Sequence, residues 1–530
     1  MQRREFLAQS ARLAGSLAIF PRIPGGFQTV SGTPGATPAD SLVFFETSDT
    51  KYQSVYSAAL EVLAHNIVPV SGYVRPVLIE GSQYHGIWLE CAPYEGLVYA
   101  AIRPDVARDD HLAFFALQRE DGQLPCWIRD TRVGFGQIQM VVPIAATAWE
   151  LAQQTGDSEL LEKAYNGGSR WDAWLRRYRD TRRTGLCEGF CTYDTGHDNS
   201  PRWKGIPNAC PDGDARHCPP DPTLPRLCPD LSATVYGGRV ALAAMARALG
   251  KNSEADRWLA GAEAIRSAIM ARLYVAEDAA FYDLDAQNRF VRVRGDLITR
   301  VLGEHVANPG TFANVYEHQI HVVTRFWPAY PFPSIALDDP AFVRPVPPNS
   351  WGGAAQALTA LRSPRWMEHY GRPADLAQLM TQWNAAILRA GKFLQQMDPL
   401  DGTFTSGPGD YSPAALVFFD FTWRLAGVRA VGDNLEWNVR PPAPEVRARY
   451  RVRVAPTITA ELRYVSGYAE LYVGSRRLLR TTAVVRLITD RHGNLKSAAG
   501  VDSRTATVHL DLDSGRRRTF TIAPNQSLKL

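Results

Sequence analysis

The chain of 530 residues lacks any long apolar run. The stretch from Leu13 to Phe20 is too short to span a bilayer as a stable helix, and no later run is longer and equally apolar. Stable membrane insertion is therefore not expected. Excess charge of either sign is also missing: 58 Lys and Arg face 54 Asp and Glu, a formal balance of +4. So small a balance over this length leaves no electrostatic footprint for nucleic acid. No internal repeat of fixed period recurs, which argues against a simple repeat solenoid. The spacing of Cys210, Cys218 and Cys228 fits no zinc pattern, so a metal centre is the weaker reading and nothing points to a cofactor. What is left is an ordinary globular composition, 45% apolar and 21% charged, with length enough for two or three domains.

The N-terminus reads Met1-Gln2-Arg3-Arg4-Glu5-Phe6-Leu7. A twin-arginine pair before Phe-Leu looks like a Tat export signal. Pro21 to Asp40 is rich in Gly, Pro, Ser and Thr, as a processing region or linker is. The expectation is a signal and linker over 1–40 and a periplasmic or secreted mature protein; a chance Arg pair in a tail is the alternative. Five of the seven cysteines fall between Cys187 and Cys228. In an oxidising compartment that loop is a place for disulfides, with at least one thiol left over from the odd count.

Apolar residues at helical spacing recur over 51–68, 105–117, 140–151, 157–178, 231–249, 254–273, 297–302, 349–361, 373–388 and 413–425. Short joints such as Gly250-Lys251-Asn252-Ser253 imply antiparallel neighbours. Paired helices over this length make either a solenoid or a closed toroid, and the missing repeat favours the toroid. Beyond Gly427 the period changes to two, over 447–454, 460–465, 468–473, 482–488 and 505–512. That predicts a small antiparallel β domain over 428–530, more readily a structural cap than a carbohydrate-binding module.

The chemistry concentrates between the helices, in Cys191-Thr192-Tyr193-Asp194-Thr195-Gly196-His197-Asp198-Asn199-Ser200-Pro201-Arg202-Trp203. Two acids, a His, an Arg and two aromatics surround a Gly turn. Loops on a rigid scaffold are where such groups can be aimed at a ligand. On residue types alone the stretch reads equally well as an Asx-type turn followed by surface charge.

The order Thr195-Gly196-His197-Asp198-Asn199-Ser200-Pro201-Arg202-Trp203 resembles a motif of (α/α)6-barrel glycoside hydrolases of the trehalase, glucosidase I and mannosylglycerate hydrolase-like types. Their version runs roughly Ser-Gly-x-Asp-Asn/Phe-Ser-x-Arg-Trp, and its Asp is the general acid of an inverting mechanism. The resemblance extends loosely from Trp88 to Gly427. It implies a mainly α fold, an (α/α)6 toroid over 41–427 carrying the C-terminal antiparallel β domain, and an oligosaccharide or glycoside substrate, more readily α-linked. On the same match Asp198 takes the acid role, and Arg202 and Trp203 line the sugar subsite with Tyr193 and His197. Trp351, in Trp351-Gly352-Gly353, resembles the stretch that lines the pocket; a core Trp is the alternative. The stretch from Ile79 to Tyr99, with its Gly residues and aromatics, reads as a loop entering a site, and a comparable segment lines the pocket mouth in the resembling barrels; Trp88 belongs to it, with His85, Glu90 and Glu95, although a lone His or Glu is more often surface or satisfied core. Gln137 and Gln139 stand at a helix start, where the resembling barrels often carry substrate-contacting residues, although helix-start polarity alone explains them.

An inverting glycosidase needs a second carboxylate to activate water. The resembling families place it on a late Glu, in a frame like Phe-x-Glu-x-Tyr-Asp-Pro-x-x-Gly. Here the frame reads Phe393-Leu394-Gln395-Gln396-Met397-Asp398-Pro399-Leu400-Asp401-Gly402, with Gln395 at the base position. An amide does not take a proton from water at neutral pH. Asp410 in the same loop and Glu95 are the replacement bases to consider, with Glu317 behind them; Gln395 then contacts substrate or water. Asp194 either tunes Asp198 or caps the turn. Two rivals stand beside hydrolysis: a sugar-binding protein on an inactive barrel, and a polysaccharide lyase, for which the basic run from Arg176 to Arg183 is a weak sign better explained as a solvated face.

Overall fold

The computed structural model describes residues 42–405, 407–455 and 458–530. The expected signal and linker lie outside the described residues. Twelve α-helices run through the described chain. They are α1 (Thr50–His65), α2 (Ala92–Tyr99), α3 (Pro104–Ala116), α4 (Ile144–Thr155), α5 (Ser158–Tyr178) and α6 (Pro229–Ala248). They continue with α7 (Asn252–Arg272), α8 (Leu297–Gly303), α9 (Pro309–Val315), α10 (Ala357–His369), α11 (Pro373–Ala390) and α12 (Ser412–Ala426). None of them is long and apolar enough to cross a membrane.

Local chemistry sets the joints. Asp49 and Asp157 cap α1 and α5, accepting from the backbone N–H groups of Tyr52 at 3.0 Å and Leu160 at 2.9 Å. Gly156 ends α4 with a φ of 70°, so Gly156-Asp157 turns the chain back on itself. Pairs formed this way pack antiparallel: α2 on α3, α4 on α5, α6 on α7, α10 on α11. The even-numbered helices also touch in cyclic order, α2–α4–α6–α8–α10–α12 and back to α2. Their mutual faces are buried; in α12 Ala414 through Phe418 are all at 0% exposure.

Two expected helices start later than their apolar content suggests. The segment 349–354 is a loop, in which Gly353 passes so close to the Val343 carbonyl that a Cβ there would stand 2.6 Å from the oxygen, and Ala355–Gln356 is a short strand paired with Gln396–Met397. Likewise 140–143 is a loop ended by Pro143, and α4 begins at Ile144. Both shifts put polar groups on loops at the same end of the helices as the acid motif.

The β region is two antiparallel sheets. Its strands are β1 (Val43–Thr47), β2 (Val428–Val431), β3 (Asn434–Val439), β4 (Ala448–Ala455), β5 (Ile458–Val465), β6 (Tyr468–Val473), β7 (Arg476–Thr481), β8 (Val485–Asp490), β9 (Leu495–Ala499), β10 (Ala506–Leu512), β11 (Arg517–Ile522) and β12 (Ser527–Lys529). One sheet has the order β1-β4-β5-β6-β7-β10-β11 and the other β2-β3-β8-β9-β12. Strand β1 pairs with β4 from Val43↔Val452 to Thr47↔Ala448. The division at 427 therefore needs correcting at its other end: residues 43–47 belong to the larger sheet, a pairing made across some four hundred residues that no local pattern announces. The sheets are tied to the helices by Arg486, whose Nη1 and Nη2 reach the Glu368 carboxylate of α10 at 2.6 and 2.9 Å.

Candidate active site

The acid loop is built from the turn Thr192–Thr195, a left-handed Gly196 (φ 63°) and the turn Pro201–Trp203. It opens most at the middle: Asp198 is half-buried between buried His197 and exposed Asn199. The Asp198 carbonyl accepts from Trp351 N at 3.0 Å, and its Oδ2 accepts from Asn349 Nδ2 at 3.2 Å. Asn349 Oδ1 accepts in turn from Gln395 Nε2 at 3.1 Å, and Gln395 Oε1 from the Tyr84 hydroxyl at 3.0 Å. A single directed chain thus runs Tyr84 to Gln395 to Asn349 to Asp198. Trp88 lies edge-on to Tyr84, at 6.0 Å between ring centroids, and packs with buried Trp351.

Burial pushes the Asp198 carboxyl up to about 7, and the nearby Glu90 charge adds to it, against a smaller opposing effect of the Asn349 hydrogen bond. Glu90 is buried against the loop; a Cβ on Gly196 would fall 1.5 Å from its Oε2. Burial raises Glu90 too, while the charges of Arg362 and Arg300 and a hydrogen bond from Gln139 hold it down. Arg362 Nη2 donates to the Glu90 carbonyl at 2.8 Å, and Arg300 lies 5.2 Å from the Trp351 ring centre. Gln137 stands behind Gln139, donating to its Oε1 at 2.9 Å. Tyr193 is half-buried, its hydroxyl raised first by burial and then by the Asp198 charge.

Several expected site residues are elsewhere. Arg202 is 2% exposed and fully committed: Nη1 and Nη2 donate to Asp230 at 2.7 Å, Nε and Nη2 to Asp283 at 2.6 Å. It therefore does not line a sugar subsite, because no donor is left pointing outward. Trp203 is corrected with it: the indole is 2% exposed, donates to Thr195 Oγ1 at 2.9 Å and faces the Arg226 guanidinium at 5.0 Å. His197 Nδ1 accepts from Arg202 Nη1 at 3.0 Å, so its proton is on Nε2, 3.0 Å from Asp296 Oδ1. Burial and the Arg300 charge lower it to about 4, leaving a neutral ring that braces the loop rather than a sugar contact.

Of the proposed replacement bases, Glu95 and Glu317 fall away. Glu95 is 1% exposed on α2, beside Glu80 and Cys91 rather than Asp198, and burial raises it to about 7. Asp410 Oδ2 accepts from Ser82 N at 3.1 Å, so this carboxylate holds the loop that presents Tyr84. Glu317 is exposed in the turn Tyr316–Ile320. Asp194 has 0% exposure and pairs with Arg179 while accepting from Ile138 N and Phe190 N; it anchors the turn. Asn349 and Tyr84 escaped the sequence reading. Asn349 carries no signal of its own, whereas Tyr84 stood beside Gly81 and Gly86 in a stretch marked as a pocket-entering loop.

The loops between the paired helices hold a protonatable acid, and the chain is of the glycoside hydrolase class. The description "Mannosylglycerate hydrolase MGH1-like glycoside hydrolase domain" matches residues 84–413, and the chain belongs to that family of glycosidases. A solved relative in fold is the GH63 mannosylglycerate hydrolase from Thermus thermophilus, crystallised with glucose. It is 19% identical at a TM-score of 0.55, over 69% of this chain and 100% of its own. Neutral trehalase Nth1 from Saccharomyces cerevisiae is 12% identical at 0.54, over 66% and 73% of the two chains. An alpha-L-rhamnosidase from Dictyoglumus thermophilum is 12% identical at 0.56; it covers 92% of this chain, sheets included, and 50% of its own. No curated protein matches the sequence.

Proposed function

We propose that the protein hydrolyses an oligosaccharide or glycoside, α-linked by resemblance, with Asp198 protonating the leaving oxygen in an inverting reaction. The observation that carries this reading is the Asp198 carboxyl, half-buried beside Glu90, bonded only to a neutral amide and pushed up to about 7. A general acid needs its proton at the working pH, and this environment supplies one. Oδ2 is already occupied as an acceptor for Asn349, so the proton belongs on Oδ1, free for the glycosidic oxygen.

Gln395 has a positive role in that arrangement. As an amide it accepts from Tyr84 and donates to Asn349, which turns the Asn349 NH2 toward Asp198. A carboxylate at 395 would accept from Asn349 instead. Asn349 would then present its carbonyl to Asp198 and draw the acid proton away from substrate. The second carboxylate of the reaction is then Glu90, which the fold brings to the acid loop and keeps next to two guanidinium groups. The cyclic helix order supports the (α/α)6 toroid, with the pocket at the loop end and the β domain packed alongside. The twin-arginine N-terminus supports export to the periplasm or beyond.

Gln395 favours a second reading, in which sugar is bound without cleavage because the family's base is missing. A panel of α- and β-linked oligosaccharides, presented to wild type, Asp198→Asn and Gln395→Glu, separates the two. Sugar release by wild type and not by Asp198→Asn establishes hydrolysis and reveals the linkage. No release by wild type, with turnover appearing in Gln395→Glu, establishes the binding reading.

A further inference from the structure

The cysteine-rich loop behind the acid motif holds a pair of thiols in contact. Cys191 and Cys210 are both buried, with their sulfurs 3.8 Å apart. The backbone brings them there independently of the thiols. Thr192 N donates to Pro207 O and Tyr193 N to Asn208 O, each at 3.0 Å, and Cys210 N is held by Gly136 O at 3.1 Å. The two chain segments thus run side by side, and modest side-chain rotation closes the remaining gap to a sulfur–sulfur bond of about 2 Å.

A metal ion does not fit between them. The third donor in reach is Asp194, whose oxygens are spent on Arg179 and on backbone N–H groups. The Arg179 guanidinium also lies 3.7 Å from the Cys210 sulfur and would repel a cation.

We propose that Cys191 and Cys210 form a disulfide that closes the loop carrying Asp198. Each thiol gives up its proton, the sulfurs join, and the two electrons pass to an incoming disulfide, either of a dithiol oxidase or of glutathione, which leaves as two thiols. Burial raises the Cys191 thiol well above its usual value, so the packed loop resists attack and the bond forms while the chain folds. It is therefore a permanent staple. It shortens the span that must be ordered to hold Asp198 against Asn349 and Trp351.

Full-length protein refolded in a glutathione redox buffer, then denatured, alkylated and mapped by mass spectrometry without reduction, tests this. The expected result is one linked peptide pair containing Cys191 and Cys210, with the other five cysteines alkylated. Reduction should lower Tm by several degrees, and a Cys191→Ser, Cys210→Ser double variant should melt like the reduced protein and ignore reductant. Seven alkylated cysteines, or a link between Cys210 and Cys218 or between Cys187 and Cys228 in its place, overturns the proposal. The map reads wild type and needs no activity, so its failure leaves the acid assignment untouched.

Discussion

Asp198 and Arg202 stand four residues apart in one motif and meet opposite environments. Arg202 is enclosed by two carboxylates that satisfy its donors, so its charge is neutralised and its fork is spent. Asp198 receives one neutral amide, faces Glu90 and lies against no cation. The same loop thus contains a saturated ion cage and an unsaturated acid. The first holds the loop in shape, because a buried guanidinium is tolerable only with such partners. The second keeps its proton because burial and the Glu90 charge outweigh the one amide, Asn349, that stabilises its ionised form. Chemistry resides where the charge balance is left incomplete.

That contrast can be broken most sharply at Asp198. Asp198→Asn should lower turnover about a hundred- to ten-thousand-fold, the usual worth of a general acid, with the circular dichroism spectrum and Tm unchanged. Near-full activity would remove Asp198 from the mechanism. Glu90→Gln should cost turnover on the same scale if Glu90 activates the water. It should also move the alkaline limb of the kcat/KM profile. The wild-type acid is protonated below about 7, so activity falls as pH rises through that value; deleting the Glu90 charge lowers the Asp198 pKa and shifts the limb to lower pH. A shifted limb with turnover intact would reduce Glu90 to a tuning role.

On the caged side, Arg202→Met leaves Asp283 buried without its cation and Asp230 with only Arg300, at 3.7 Å. The expected loss is about 3–5 kcal/mol in denaturant unfolding, since removing one partner of a buried pair strands the other. A variant as stable as wild type would show that the cage is not what holds the loop. The smallest effect is expected from Tyr84→Phe, which removes one hydrogen bond worth about 1 kcal/mol at the far end of the chain to Asp198. Turnover should fall several-fold with KM little changed. A change in KM alone would make Tyr84 a substrate contact.

Sequence alone determined ten of the twelve helices among the described residues, five of the twelve strands in the two sheets, and the motif around Asp198; α2, inside a stretch that reads as a loop, and the short α9 escaped it. Periods of 3.6 and two are local consequences of which side faces the core, and α5, α7 and the strand Tyr468–Val473 were legible for that reason. Asp198 was legible because a run of motif residues stands in order around a Gly turn. What only the tertiary structure decided is what each polar residue meets. Arg202 needs Asp283, 81 positions away, to be recognised as caged, and Asp198 needs Asn349, 151 positions away, to be recognised as a directed acid. Strand β1 finds its partner only across the length of the helical region. Burial, pKa and donor–acceptor direction depend on the distances among such groups, and those distances exist only once the chain has closed.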